Sequence, residues 1–288
     1  MNDENIFSLN YFDHNEHLSY SQRFYYKFLK NHLSKMESYS NTVSIIIQGP
    51  LNNRSIKTIP KYLKYGEVIV SCWDNDNISM LDNYKDKIKI VVNKYSEVPK
   101  NKNKPGKHAP WIFQNFTTLN GLKEASGYLC IKLRSDESYP VLEPLINRFK
   151  RNRDTRHPET NLYQDYKIIT SNIYFRYDRE NKFHPSDHII AGTKNRMLQS
   201  FKLSTYYCNQ PLTRFPEQLI CKAIINSYID PITKKYDQVI NQKSKELMKK
   251  HFDIIRIKDL PNHIWTSSYR KYDALYSEED WCHDINSI

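Results

Sequence analysis

Glycine is scarce, with 6 residues in a chain of 288. A glycine-rich phosphate loop of the Rossmann or Walker type needs several glycines at fixed spacing, and neither motif is present, so a bound nucleotide would have to be held by other groups. The five cysteines (Cys72, Cys130, Cys208, Cys221 and Cys282) are odd in number and show neither CxxC nor metal-ligand spacing. That excludes a disulfide framework and leaves reduced core thiols. The ten histidines form no HExxH and no HxH pair, so a tightly held zinc is not expected. Serine-histidine-aspartate chemistry lacks its GxSxG elbow. No apolar run reaches about 18 residues, and the acidic, polar first ten residues lack the order of a signal peptide. A soluble, cytoplasmic protein is the expectation.

What is abundant is basic charge. Lys and Arg total 43 against 32 Asp and Glu, a net +11 that attracts nucleic acid, phosphorylated substrates or an anionic membrane surface. Local concentrations at residues 100–107 and 148–156 read as solvated loop or helix surface. Hydrophobic residues at 39% and aromatics at 13% give the composition of a globular chain with enough interior for a substantial core.

An amphipathic stripe of Phe24, Tyr25, Phe28, Leu29 and Leu33 predicts a helix within an N-terminal extension, residues 1–40. Strands are predicted at 43–47, 68–72, 87–92 and 128–133, with helices at 55–65 and 111–125 and a polar, basic loop at 96–108 between them. This alternation is the signature of βαβ units and a mainly parallel, Rossmann-like sheet flanked by helices. Beyond it the pattern is less regular, with strands at 167–170, 173–176 and 188–191 and helices at 195–201, 216–227 and 243–251. With no repeat or linker between the halves, one α/β domain is expected over residues 41–288, with a nucleotide half at about 41–139 and an acceptor half at about 140–288.

In an open α/β sheet ligands bind at the carboxyl ends of the strands. Those ends read Gln48-Gly49-Pro50, then Cys72-Trp73-Asp74-Asn75-Asp76, then Arg134-Ser135-Asp136-Glu137, the pattern of a nucleotide site with a metal. A divalent cation bridging a diphosphate takes one or two carboxylates with phosphate and water oxygens, a role for which Asp136 is placed. Arg134, two residues away on the same side of an extended chain, pairs with phosphate or simply with Asp136. Asp187, in His184-Pro185-Ser186-Asp187-His188, precedes an apolar strand and faces the same cleft or makes a turn. Glu217 opens a helix behind Pro216, a position that the helix dipole alone favours for an acid.

Taken in order, Ser44-Ile45-Ile46-Ile47-Gln48-Gly49-Pro50, Val68-Ile69-Val70-Ser71-Cys72-Trp73, Lys132-Leu133-Arg134-Ser135-Asp136, Thr170-Ser171-Asn172, Pro185-Ser186-Asp187 and Pro216-Glu217-Gln218 resemble the WavE-type lipopolysaccharide synthesis proteins. The resemblance implies a GT-A-like glycosyltransferase fold, a UDP- or GDP-sugar donor, and a glycan or lipid-linked saccharide acceptor. It implies that Asp136 holds Mn²⁺ or Mg²⁺, although Arg134 stands where a full Asp-x-Asp would have its first acid. Gln48, Gly49 and Asp74 would contact the nucleoside, with Trp73 stacking on the base or packing in the core. Glu217 would be the general base of an inverting transfer, with Asp187 as reserve base or sugar binder. Lys107 or His108, in the basic loop, would neutralise the leaving diphosphate. The charge is also compatible with peripheral contact with an anionic membrane surface.

A basic nucleic-acid-binding protein or metal-dependent nuclease is the alternative, with Lys132, Asp136 and Glu137 as its cluster. Against it, no nucleic-acid module is recognisable and the aromatic residues do not alternate with basic ones on one strand, so nucleic acid is not the expected partner.

Overall fold

The strands form where β-branched residues run together. In the computed structural model, which describes residues 42–99, 110–154, 167–173, 175, 184–207, 216–226, 248 and 251–264, β1 (Val43–Gln48) and β2 (Glu67–Trp73) are almost wholly buried. That is the composition of strands covered on both faces. All described residues belong to the unit Thr42–Ile288. The helical extension expected at 1–40, and Lys107 and His108 of the basic loop, lie outside the described residues.

Helix α1 (Asn53–Tyr62) begins where the Asn52 side chain accepts a hydrogen bond from the Arg54 N–H at 2.9 Å, two residues before the start expected at 55. Strand β3 (Lys89–Asn93) follows a 3₁₀ segment (Ile78–Tyr84), and its exposed Lys89 and Val92 mark an edge strand. Next come α2 (Pro110–Glu124), β4 (Leu129–Arg134), α3 (Glu143–Asp154), β5 (Ile168–Ser171), β6 (Ile189–Thr193), α4 (Lys194–Tyr207), α5 (Pro216–Asn226) and β7 (Phe252–Ile255).

The seven strands form one sheet in the order β3-β2-β1-β4-β6-β5-β7. The pairs β1–β2, β2–β3, β1–β4 and β5–β7 are parallel, whereas β6 runs antiparallel to both β4 and β5. The mainly parallel α/β sheet expected from the sequence is therefore present. Strand β4 lies on the opposite side of β1 from β2, so the connections diverge at the carboxyl end of β1 and open a crevice there.

Alternation along the strands divides the core into two layers. Val43, Ile45, Ile47, Leu129, Ile131 and Leu133 pack with Ile56, Ile59 and Tyr62 of α1 and Leu145 and Phe149 of α3. On the other face Ile46 and Cys130 pack with Leu122 of α2, Met197 and Phe201 of α4, and Ile220 and Ile224 of α5. Cys72, Cys130 and Cys221 are free and buried, and burial pushes the thiols of Cys72 and Cys130 up to about 12. No helix among the described residues is long and apolar enough to cross a membrane.

Some elements differ from the sequence reading. Of the strand expected at 173–176, Ile173 forms an isolated bridge and Phe175 is in no regular element, while residues 174 and 176 lie outside the described residues. Helix α3 and strand β7 were not expected as elements. Arg148, in the basic run read as solvated surface, makes a two-pronged pair with Asp253 of β7, both N···O distances being 2.6 Å, and Asn152 adds a third hydrogen bond at 2.7 Å. Of the helix expected at 243–251, Met248 and His251 are helical and the remainder lies outside the described residues.

Helix α2 lies close on the sheet because position 121 has no side chain: a Cβ there would meet Ile46 Cγ2 at 2.6 Å and Ser71 Cβ at 3.3 Å. Ile46 is a stiff side chain in a buried strand, so it cannot step aside cheaply. Gly121→Ala is expected to destabilise by about 1–3 kcal/mol from overpacking, more than the gain of about 1 kcal/mol in helix propensity. Chemical denaturation of the variant checks this, and a midpoint at or above the wild type would contradict the packing argument.

Candidate active site

Lys132 and Arg134 alternate with Ile131 and Leu133 on β4, so both cations project from the sheet face that carries α2, α4 and α5. Lys132 is fully buried and its ammonium donates to the backbone carbonyl of Asp187. Burial, assisted by the neighbouring Arg134 charge and opposed by Asp187, Glu137 and Asp136, pushes the Lys132 ammonium down to about 8. Arg134 grips Asp136 through its planar fork, Nε to Oδ1 at 3.0 Å and Nη2 to Oδ2 at 2.9 Å. The same guanidinium lies 3.8 Å from a Glu137 oxygen and 3.6 Å from Asp187 Oδ2. Burial would raise the Asp136 carboxyl, but Arg134 outweighs it and holds the group below the usual carboxylate range.

The reversed direction of β6 completes the cluster. Because Leu133 at the end of β4 pairs with Ile189 at the start of β6, the segment preceding β6 arrives at the carboxyl end of β4. Ser186 is anchored there by Thr170 Oγ1, which donates to its carbonyl at 2.6 Å, and by a hydroxyl contact with Ser171 at 2.8 Å. Asp187 Oδ2 then accepts a hydrogen bond from Gln114 Nε2 of α2 at 2.7 Å. Burial would raise this carboxyl, yet the charges of His188, Lys132 and Arg134 and the Gln114 hydrogen bond hold it far below the carboxylate range. Beside it Glu137, fully buried, meets His188 Nδ1 at 2.5 Å and accepts from the Tyr139 hydroxyl at 2.6 Å. Burial and the Glu137 charge push the Tyr139 phenol well above its ordinary value, which keeps it a donor.

At the end of β1 the Gln48 side chain is buried, its Oε1 accepting from Thr117 Oγ1 of α2 at 2.9 Å, so it braces α2 against the sheet. Gly49 has φ of 115°, and a Cβ there would stand 2.8 Å from Ser135 Oγ. Glycine is required by both its conformation and its neighbour. Asp74 is exposed at the end of β2, with its N–H donating to the Asn93 carbonyl at 2.9 Å.

Of the two roles open to Trp73, the structure has the packing one. It is 2% exposed, stacked under Tyr95 with ring centroids 4.3 Å apart and flanked by Phe113 and Phe116. The accessible ring of this stack is Tyr95, 41% exposed, which the sequence reading had not singled out. Leu219 of α5 packs with Trp73, Val98, Trp111 and Ile112, and so seats the first turn of α5, with Glu217, beside this aromatic group. Glu217 Oε2 lies 3.3 Å from His184 Nε2, and both side chains are largely buried. His184 and Gln114 were also missed. The former stood within a segment read only for its aspartate, and the latter is an unremarkable position on a helix.

The structure thus brings Arg134, Asp136 and Asp187 together, with Gln48 and Gly49 on the adjoining strand, and puts Glu217 with His184. It pairs both Asp136 oxygens with Arg134, so that a metal ion held there would stand beside a guanidinium charge. Among the described residues no group of three or more His, Cys, Asp or Glu side chains is arranged to hold a metal ion. The donor set does not fit a Mn²⁺ or Mg²⁺ site in this arrangement.

Among solved structures, the chain is similar to the galactosyltransferase LgtC in complex with donor and acceptor sugar analogues, at 11% identity over 65% of this chain and 70% of that one, with a TM-score of 0.40. It is similar to the apo-form glycosyltransferase GlyE of Streptococcus pneumoniae TIGR4, at 10% identity over 84% of this chain and 59% of that one, with a TM-score of 0.39. A third similarity is to CMP:2-keto-3-deoxy-manno-octonic acid synthetase complexed with CTP, at 11% identity over 75% and 89%, with a TM-score of 0.39. No curated protein matches the chain. The profile described as WavE lipopolysaccharide synthesis matches residues 43–258, a span that includes every strand of the sheet and every residue of the cluster at its carboxyl edge, and the chain belongs to that family.

Proposed function

We propose that this protein is a GT-A-like glycosyltransferase that moves a sugar from a nucleotide-diphospho-sugar to a hydroxyl of a glycan or lipid-linked saccharide. The observation that carries the reading is the convergence of Gly49, Arg134, Asp136 and Asp187 at the point where the strand connections diverge, the place where open α/β sheets bind ligands. Family membership supports a role in lipopolysaccharide synthesis and hence a saccharide acceptor.

Each group then has a task. Arg134, backed by Lys132, supplies positive charge where a diphosphate leaving group accumulates negative charge. The open face of Tyr95 receives the base of a UDP or GDP donor, with Trp73 as the rigid layer beneath it. Asp187 is too strongly stabilised as a carboxylate to accept a proton near neutrality, which suits it to receiving hydrogen bonds from sugar hydroxyls. Glu217, in the first turn of α5 and steadied by His184, is the general base that takes the acceptor hydroxyl proton in an inverting transfer. The nuclease alternative needs Asp136 and Glu137 open to a metal, whereas the former is committed to Arg134 and the latter to His188 and Tyr139.

A panel of UDP, GDP, CMP and dTDP sugars, followed by thermal stabilisation and by release of the nucleoside diphosphate with saccharide acceptors, tests the assignment; no stabilisation and no turnover with any of them would overturn it. Glu217→Gln is expected to retain donor binding and to lower kcat by about 10²–10⁴-fold, and a wild-type kcat would remove Glu217 from the base role. Tyr95→Ala is expected to weaken donor binding by about 5–100-fold, the range of a lost stacking contact. Tyr95→Phe should stay near wild type in the same titration.

A further inference from the structure

The place that the family resemblance assigns to a divalent cation is filled in this chain by a side chain. Arg134 lies among three carboxylates, at 2.9 and 3.0 Å from the oxygens of Asp136, 3.6 Å from Asp187 and 3.8 Å from Glu137. These come from separate directions: Asp136 and Glu137 from the turn after β4, and Asp187 from the segment before β6. A guanidinium does not give up its proton in a protein, so the charge is permanent. A Mn²⁺ or Mg²⁺ ion bound by Asp136 would have to share the carboxylate with a two-pronged ion pair and sit beside its positive charge, or displace it. Lys132, fully buried on the same face and bound to the Asp187 carbonyl, adds a second chain-borne cation beneath the first.

We infer that Arg134 is a tethered cation that takes the place of the divalent ion, so that the protein engages the diphosphate of its donor with its own charge. The diphosphate part rests on the function proposed above; the replacement of the ion does not. The carboxylates around Arg134 then serve as its cradle. Asp136 sets the plane of the fork, while Asp187 and Glu137 hold the guanidinium from the buried side. Removing the guanidinium leaves Asp136 without its ion pair, with Asp187 and Glu137 close by, and a metal ion from solution is the natural substitute.

The test is a Mn²⁺ titration of the full chain by electron paramagnetic resonance and calorimetry, with no sugar nucleotide present. The wild type is expected to bind no stoichiometric Mn²⁺ up to about 1 mM, the weak end of carboxylate sites. Arg134→Gln is expected to gain one Mn²⁺ site, and Arg134→Gln combined with Asp136→Asn to lose it again. One equivalent of Mn²⁺ on the wild type, abolished by Asp136→Asn, would overturn the inference, and so would a folded Arg134→Gln protein that takes up no Mn²⁺. If Arg134→Gln does not fold, the wild-type and Asp136→Asn titrations still decide. In a second arm, UDP and GDP are titrated in the presence of a chelator. Binding by the wild type that is unchanged by added Mn²⁺ supports the inference, and a tenfold or greater gain on adding Mn²⁺ overturns it. Failure of every nucleotide sugar to turn over would count against the proposed function and leave the Mn²⁺ result standing.

Discussion

Two cations on one apolar strand are the constraint around which the site is built. Lys132 and Arg134 stand among Ile131 and Leu133 at the centre of the sheet, and taking their charges out of water is costly unless each is paired. The pairing recruits Asp136 and Glu137 from the turn that follows, and Asp187 with its own carbonyl from the segment before β6. Gln114 adds a hydrogen bond to Asp187, and His188 and Tyr139 meet the two oxygens of Glu137. A buried network of this kind is stable only as a whole, because removal of one member leaves an uncompensated charge.

The direction of β6 makes the pairing possible. A parallel strand beside β4 would deliver its amino-terminal segment to the opposite edge of the sheet, whereas the reversed β6 brings residues 184–188 to the carboxyl ends of β4 and β5. One segment thereby supplies Asp187 to the Arg134 cluster and His184 to Glu217. Helix α2 closes the other side. Gly121 lets it lie close to Ile46 and Ser71, and from that position Thr117 reaches Gln48 while Gln114 reaches Asp187. The site residues are therefore mounted on strands and helices whose spacing is set by packing, which holds reactive groups more tightly than loops do.

This arrangement separates two kinds of carboxylate. Asp136, Asp187 and Glu137 are bound into a cationic network, and the first two are held below the usual carboxylate range by it. Glu217 is on a different element, paired with a histidine beside an aromatic group whose outer ring faces solvent. The cationic network and the Glu217–His184 pair are thus built on different elements. In the proposed reaction such separation keeps the proton acceptor free of the guanidinium that faces the leaving group.

Several parts of this were legible in the chain alone. The β-branched runs at Val43–Gln48 and Glu67–Trp73 declare buried parallel strands, and the polar residues that follow mark their carboxyl ends, because a buried strand has to stop where polar side chains need water. Arg134 and Asp136 were found on that ground, Asp187 from the polar segment before an apolar strand, and Glu217 from the helix start behind Pro216. What local pattern could not express was partnership. Strand β7 is four residues long and contains Asp253, which only becomes acceptable in a sheet once Arg148 arrives from a helix far away in sequence. Gln114 and His184 carry no periodic or spacing signal, and the choice for Trp73 between stacking on a ligand and packing under Tyr95 depends on a ring contributed by another segment. The same holds for Asp136: its residue type permits a metal ligand, and the guanidinium two residues away claims it only when both extend from the same side of a folded strand end. Composition and periodicity act through the nearest turns of the chain, and so they determine strands, helices and the edge at which a ligand binds. The pairing of charges acts through space, and only the packed sheet decides which acid meets which base.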